Sequence, residues 1–385
     1  MRRIIRAQGW AWLLLACWST SNAGTVLEWQ RSFISHEALK SVAWSPDGLT
    51  IAATGDAAHV REWKAKDLSE LPGFTEIRQG AAGLAQHSVA FSADGHLLAA
   101  GNLVAQVWDT TTGELKLSLI APFIDMRRPQ PIGIASLAFS PDQRLLIVGY
   151  MAPGLPTLRN PIIAYRISDG SVAWTYQQQP TVGSPQIHTP LAPIVGRNEI
   201  AYGTGESNQD ADSLARIIIL SAGTGVLSRS IDHIHVEEPS TMALSADERW
   251  LATSTNTGDV RDMLDQRDHK VVHIDNQDPV RIWNTVSSEL VREIPVKGRS
   301  RSLAFSPDGH YLIGDDGSLA GGSHLLVWNV QSGQMAQTLP LPGNVGAPFG
   351  MAFSSDGHSL AVACGNGLAL LKYISGRKGN ELGAR

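Results

Sequence analysis

Short apolar runs of four to six residues, each broken by a Ser-, Asp-, Pro- or Gly-rich cluster, recur along the whole chain. The clearest read SVAWSPDGLTI from Ser41, SVAFSADGHLL from Ser88 and SLAFSPDQRLL from Ser136. TMALSADERWL from Thr241, SLAFSPDGHYL from Ser302 and GMAFSSDGHSL from Gly350 continue the series. Runs this short, rich in β-formers and bounded by turn residues, predict strand–turn–strand units. The turn serines, Ser45, Ser92, Ser140, Ser245, Ser306 and Ser354, act as a ruler. They stand 47 and 48 residues apart at the start, 105 apart in the middle and 48 apart at the end. The long middle gap holds a worn copy, HTPLAPIVGRNEIAYGTG from His188, with Ile194 at the serine position. Seven units of similar length, with 61 residues between Ser245 and Ser306, imply a repeat architecture.

A second marker follows in each unit, a few residues before another turn. It is Trp63, Trp108, Tyr165, Leu220, Trp283, Trp328 and Leu371 in turn, and only Trp108–Asp109 is a literal Trp-Asp pair. With the VAFSPDG-like turns, which carry Asp47, Asp94, Asp142, Asp247, Asp308 and Asp356, this pattern resembles the WD40 repeat family over roughly residues 25–375. The resemblance implies an all-β, seven-bladed β-propeller of four-stranded antiparallel blades. Ala43, Ala90, Ala138, Ala243, Ala304 and Ala352 would then sit at the crowded centre. It also implies that TVLEWQRSF, residues 25–33, completes the last blade and closes the ring, which removes exposed sheet edges. Unit one carries His36, Asp56 and Trp63 near the places of the family's rigidifying His–Ser–Asp–Trp network, whereas the other units lack the full set. AYRISDGSVAW, residues 164–174, looks more like the Trp-docking repeat of quinoprotein-type propellers.

From turn serine to Trp position the seven units span 18, 16, 25, 26, 38, 22 and 17 residues. The surplus falls in the connections between the second and third strands (b–c) of units three to six. In a propeller these share the top face with the connections from one blade to the next. Long connections on one face of a rigid scaffold are where binding is expected. The longest, residues 256–279, is charged with mixed sign and reads as a solvated loop or a partner-binding lobe; PGLPTLRNP, residues 153–161, reads as an extended spur.

Composition fits an all-β chain with many turns: 43% hydrophobic, 17% charged, 37 Gly and 20 Pro. Residues 1–23 differ. Arg2, Arg3 and Arg6 precede a short apolar run and small residues, as in a secretory signal cleaved before Gly24. LLAC, ending at Cys17, also resembles the lipobox of bacterial lipoproteins, which would make Cys17 a lipid-anchor site. Either route predicts export to the periplasm or beyond, without a transmembrane segment in the mature chain. Losing the three arginines moves the formal charge from −5 to −8, which argues against a nucleic-acid binder. Cys364 would be left alone as a small core residue. A propeller over 24–376 and a flexible tail over 377–385 complete the expected layout.

Candidate chemistry is sparse. Six near-copies of Ser-x-Asp-Gly spread around a ring cannot form one catalytic site, and no G-x-S-x-G pentapeptide occurs. His233 and His235 stand two apart near Asp232, Glu237 and Glu238, with His188 and His269 on neighbouring top connections. That set could hold zinc or a similar cation. Asn208, Asp210 and Asp212 have the alternate spacing of calcium loops but lack the following glycine and the distal glutamate. Both are weak metal candidates, and no cofactor is expected. The leading expectation is a non-enzymatic, monomeric scaffold. It would bind a protein or peptide through the 256–279 insertion and the b–c loops of units three to six. The alternatives are an exported propeller enzyme, lactonase-like or a metal-assisted hydrolase, and a quinoprotein-like redox protein.

Overall fold

Each Ser-x-Asp-Gly turn joins the innermost strand of a four-stranded antiparallel sheet to the next strand outward, and seven such sheets form a propeller. The computed structural model describes residues 25–35, 37–56, 59–75, 88–122, 133–151, 161–177, 190–204, 215–232, 234, 239–255, 261–265, 270–274, 279–296, 300–318 and 323–374. Blade one comprises strands a to d at Leu39–Trp44, Thr50–Gly55, His59–Lys64 and Glu70–Thr75. Blades two to six follow over 88–119, 133–176, 191–231, 239–294 and 303–340. Blade seven takes strands Pro348–Phe353, Ser359–Cys364 and Gly367–Tyr373 from the C-terminal part. Its outer strand is Leu27–Ile34, paired antiparallel with Gly367–Tyr373 from Leu27 opposite Tyr373 to Ile34 opposite Gly367.

The serine turns are built alike. In blade six, Ser306 Oγ donates to Asp308 Oδ1 at 2.6 Å and accepts the N–H of Tyr311 at 2.9 Å. Asp308 Oδ1 also accepts the N–H of His310 at 3.1 Å. Ser45–Asp47, Ser92–Asp94, Ser140–Asp142, Ser245–Asp247 and Ser354–Asp356 repeat the hydroxyl–carboxylate bond at 2.5–2.6 Å. The serine hydroxyl holds the Asp94, Asp142 and Asp356 carboxyls below the usual range. The fourth residue of the turn needs a positive φ. Gly309 supplies it at 69°, whereas blades three and five place Gln143 and Glu248 there, both at 58°. Those two side chains reach the preceding blade: Gln143 Oε1 accepts the N–H of Asp94 at 3.1 Å, and Glu248 accepts that of Gly196 at 2.9 and 3.0 Å. Blade four replaces the turn with a short 3-10 segment, Val195–Arg197, ending on left-handed Asn198.

Hydrophobic layers fill the seams between blades. Trp63 and the Ala361–Leu370 pair pack between blades seven and one, and Trp108 packs with Val60 and Phe74 between blades one and two. Polar pins supplement them at the outer rim. Trp174 Nε1 of blade three donates to Ala222 O of blade four at 3.0 Å. Arg229 of blade four donates to Thr285 O of blade five at 2.8 Å, and Arg292 of blade five to Gln331 O of blade six at 2.5 Å. From the outer strand of blade seven, Arg31 reaches Lys66 O of blade one at 3.0 Å. Arg229 also forks onto Glu199 at 2.8 and 3.0 Å, joined there by Arg197 at 3.0 Å. Although burial works against it, these two guanidinium groups hold the Glu199 carboxyl below the usual range.

One expectation changes. The 256–279 insertion is more than a loop, because Arg261–Asp265 and Lys270–Ile274 pair as a separate antiparallel hairpin. Blades one and five also differ at one link of the four-residue network. In blade five Trp283 Nε1 donates to Thr253 Oγ1 at 3.0 Å; the residue in Thr253's register in blade one is Ala53, which has no hydroxyl to accept from Trp63. His36 lies outside the described residues, and the Asp56 carboxylate is 3.8 Å from Lys40.

Candidate functional site

Strand a of every blade starts at the top face, and a register irregularity marks that start repeatedly. Pairing slips between Leu39 and Ser41, Ile134 and Ser136, Pro239 and Thr241, and Pro348 and Gly350. A bulge of this kind turns one side chain away from the ladder, here at Lys40, Ala135, Ser240 and Phe349. Arg301 holds the same offset before Ala304 in blade six. Blades six, seven and one therefore set a cation, an aromatic ring and a cation side by side at the mouth of the central channel. The Lys40 ammonium lies 4.4 Å from the Phe349 ring centroid and the Arg301 guanidinium 5.9 Å, within the range of cation–π attraction.

A buried carboxylate fixes this arc. Asp315, 1% exposed at the end of strand Tyr311–Asp315, takes Arg301 Nη1 at 3.1 Å and the backbone N–H groups of Arg301 and Ser302 at 2.6 and 3.2 Å. Gly317 N–H and the Ser300 hydroxyl add bonds at 3.1 and 3.2 Å. Burial pushes the Asp315 carboxyl up while Arg301 pulls it down. Beside it, Asp316 meets His324 Nδ1 at 2.8 Å at the entry to the next strand. Arg301 also donates to the carbonyls of Gly317 and Ser318, which orders the b–c connection of blade six. The charges are paired or hydrogen-bonded, which holds the arc in one geometry.

The weak metal candidates His233, His235, Asn208, Asp210 and Asp212 lie outside the described residues, as do Cys17, His188 and His269. Of their neighbours, Asp232 meets Arg216 at 3.6 Å, and Arg281 donates to Ile234 O. Among the described residues no group of three or more His, Cys, Asp or Glu is placed to hold a metal ion. Within them, too, no helix is long and apolar enough to cross a membrane. Trp63, Trp108, Trp283 and Trp328 each stand opposite strand b in the same register, as Tyr165, Leu220 and Leu371 do in the other blades. Their six turn aspartates are engaged in bends on the lower face. Cys364 is buried between blades, and burial pushes its thiol up to about 12. Lys40, Arg301 and Phe349 had a signal in the sequence: each stands three residues before the alanine of its strand a.

No curated protein matches the chain. A family model described as WD domain, G-beta repeat matches residues 27–64. That stretch takes in the outer strand of blade seven and strands a to c of blade one, so the sequence repeat is offset from the structural blade by one strand. One matched repeat and a ring of seven blades on the same plan support a WD40-repeat β-propeller.

Proposed function

We propose that this propeller is an exported, non-enzymatic scaffold that binds a protein or peptide partner through its top face. WD40 propellers in general are protein-interaction scaffolds, and the top-face assignment is supported most by the hairpin Arg261–Asp265 and Lys270–Ile274. It is inserted between strands Trp250–Thr255 and Val280–Asn284, which pair with each other directly, so blade five has no need of it for its own sheet. The strand Leu27–Ile34 serves in this reading as the closing strand of a single propeller over 24–376. Rigid seams then hold the top connections in fixed relation, which lowers the entropy lost on binding.

The test is removal of 258–278 with a short Gly-Ser joint. The truncated protein should melt within a few degrees of the full chain. Cross-linking in envelope extracts should recover with the full chain a partner that the truncated protein fails to recover. Equal recovery by both, or global unfolding of the truncated protein, would reject the top-face assignment. Mass spectrometry of the mature N-terminus tests export separately, since cleavage before Gly24 and lipidation of Cys17 give different masses.

A further inference from the structure

The residue two positions beyond the Trp position ties strand c to its own blade's lower turn. Ala65 N–H bonds Leu49 O, Ala222 bonds Asn198 O, Val330 bonds His310 O and Tyr373 bonds His358 O, all within 2.8–2.9 Å. These residues are thus equivalent, yet their side chains differ in a way that decides whether a seam is filled. Between blades six and seven, the Tyr373 hydroxyl donates to Asp308 Oδ2 at 2.7 Å, and its ring meets Phe353 edge-on at 5.6 Å. Between blades three and four the equivalent residue is Ala222, and Trp174 packs there instead.

Between blades seven and one the residue is Ala65, and among the described residues no tryptophan takes the place that Trp174 takes between blades three and four. The outer strand offers Arg31, which turns to Lys66 O. A groove of about 540 Å³ is left, lined among others by Trp44, Ala65, Arg31, Lys66, Ser354 and Asp356. That volume is in the range of small-ligand sites. Trp44 Nε1 is already spent on Ala352 O at 2.9 Å, so the indole meets an occupant as an apolar surface. Asp356 Oδ1 takes the Ser354 hydroxyl and the His358 N–H at 2.5 and 2.9 Å. Among the described residues no side chain bonds its other oxygen, the atom that in Asp308 receives Tyr373.

We propose that the groove between blades seven and one receives a tyrosine side chain from a partner polypeptide, placed as Tyr373 is placed one seam earlier. Its hydroxyl donates to Asp356 Oδ2, its ring lies against Trp44 and Ala65, and acidic residues beside it meet Arg31 and Lys66 at the mouth. This is a lower-face contact, separate from the top-face reading.

The probe is a blocked pentapeptide, tyrosine between two pairs of glutamates, titrated into the full chain by calorimetry beside its phenylalanine counterpart. The tyrosine peptide should bind about fivefold or more tightly, since only it donates to a charged acceptor. Ala65→Tyr should fill the groove from within, raise Tm and abolish binding of both peptides. Asp356→Asn keeps an Oδ1 acceptor for Ser354 and His358 and should reduce the tyrosine peptide to the level of the phenylalanine one. Removal of 258–278 should leave peptide binding unchanged. No binding of the tyrosine peptide, equal affinity for both peptides, or binding that survives Ala65→Tyr would overturn the proposal. If Ala65→Tyr does not fold, Asp356→Asn decides alone: an undiminished preference for tyrosine in that variant overturns it.

Discussion

Gln337 clasps the backbone of Leu27 at both ends. Its Oε1 accepts the N–H of Leu27, and of Val26 before it, at 2.9 Å each, while its Nε2 donates to Leu27 O at 2.9 Å. One side chain of blade six thereby satisfies three backbone groups about 310 residues away in sequence. Replacing Gln337 with Ala leaves those partly buried groups without their partners. It should lower stability by about 2–3 kcal/mol, read as a shift of the guanidinium midpoint in a single transition. Removing residues 25–34 bares the whole edge of strand Gly367–Tyr373 and should cost far more. An unchanged midpoint for Gln337→Ala would show that the outer strand of blade seven is held by its ladder alone.

The dock of Trp174 on blade four gives a sharper comparison. A Cβ built on Gly225 would lie 2.5 Å from the Trp174 ring, and the residue has φ of 70°. Gly113 has nearly the same φ, 73°, in the equivalent turn of blade two, with nothing within 4 Å of such a Cβ. Gly113→Ala should therefore meet backbone strain alone, about 1 kcal/mol. Gly225→Ala should lose at least twice that, because the indole must leave its bond to Ala222 O. Thermal melts of the two variants check this, and equal losses would mean that the ring moves aside freely.

Glu248 sits at a position where a side chain is a backbone liability, kept there for its bonds to Gly196. Truncation to Ala removes the bonds and retains the strain, whereas Gly removes both. Contrary to the usual order within regular structure, Glu248→Gly should be more stable than Glu248→Ala by about 1 kcal/mol. Denaturant midpoints of the pair decide it.

Much of this fold is legible in the chain because its determinants are local. The serine of each lower turn bonds groups no more than five residues away, so SPDG-like strings mark blades wherever they occur. The pins are not local. Nothing in the sequence around Gln337 points to Leu27, and Arg229 becomes meaningful only when the ring brings Thr285 beside it. The same holds for the groove. Ala65 is an unremarkable residue after Trp63 until Tyr373 is seen to hold the equivalent place. Lys40, Phe349 and Arg301 are an intermediate case: a fixed offset from strand a identifies them, but only closure of the ring makes blades six, seven and one neighbours.

Glu62 breaks the pattern of its own register position, where blades two to seven carry Val107, Ala164, Ile219, Ile282, Val327 and Leu370. It pairs across Ala52 and Leu71 in blade one, on the face that carries Val60 toward blade two. Adjacent Arg61 is engaged with Glu70 at 2.7 Å and with Ser35, and Glu62 has no ion pair among the described residues. Burial alone pushes its carboxyl up to about 7. The unfolded chain releases this proton near 4.5 and the folded protein holds it to about 7, so between those values the folded state binds more protons. Stability must then fall as pH rises through that window. Glu62→Val removes this dependence. Its advantage over the parent should grow by about 1 kcal/mol from pH 4 to pH 8, a figure reduced for the carboxyl's partial exposure. Denaturant melts at the two pH values measure it, and an advantage that stays constant would mean that Glu62 ionises in the fold as freely as in the unfolded chain.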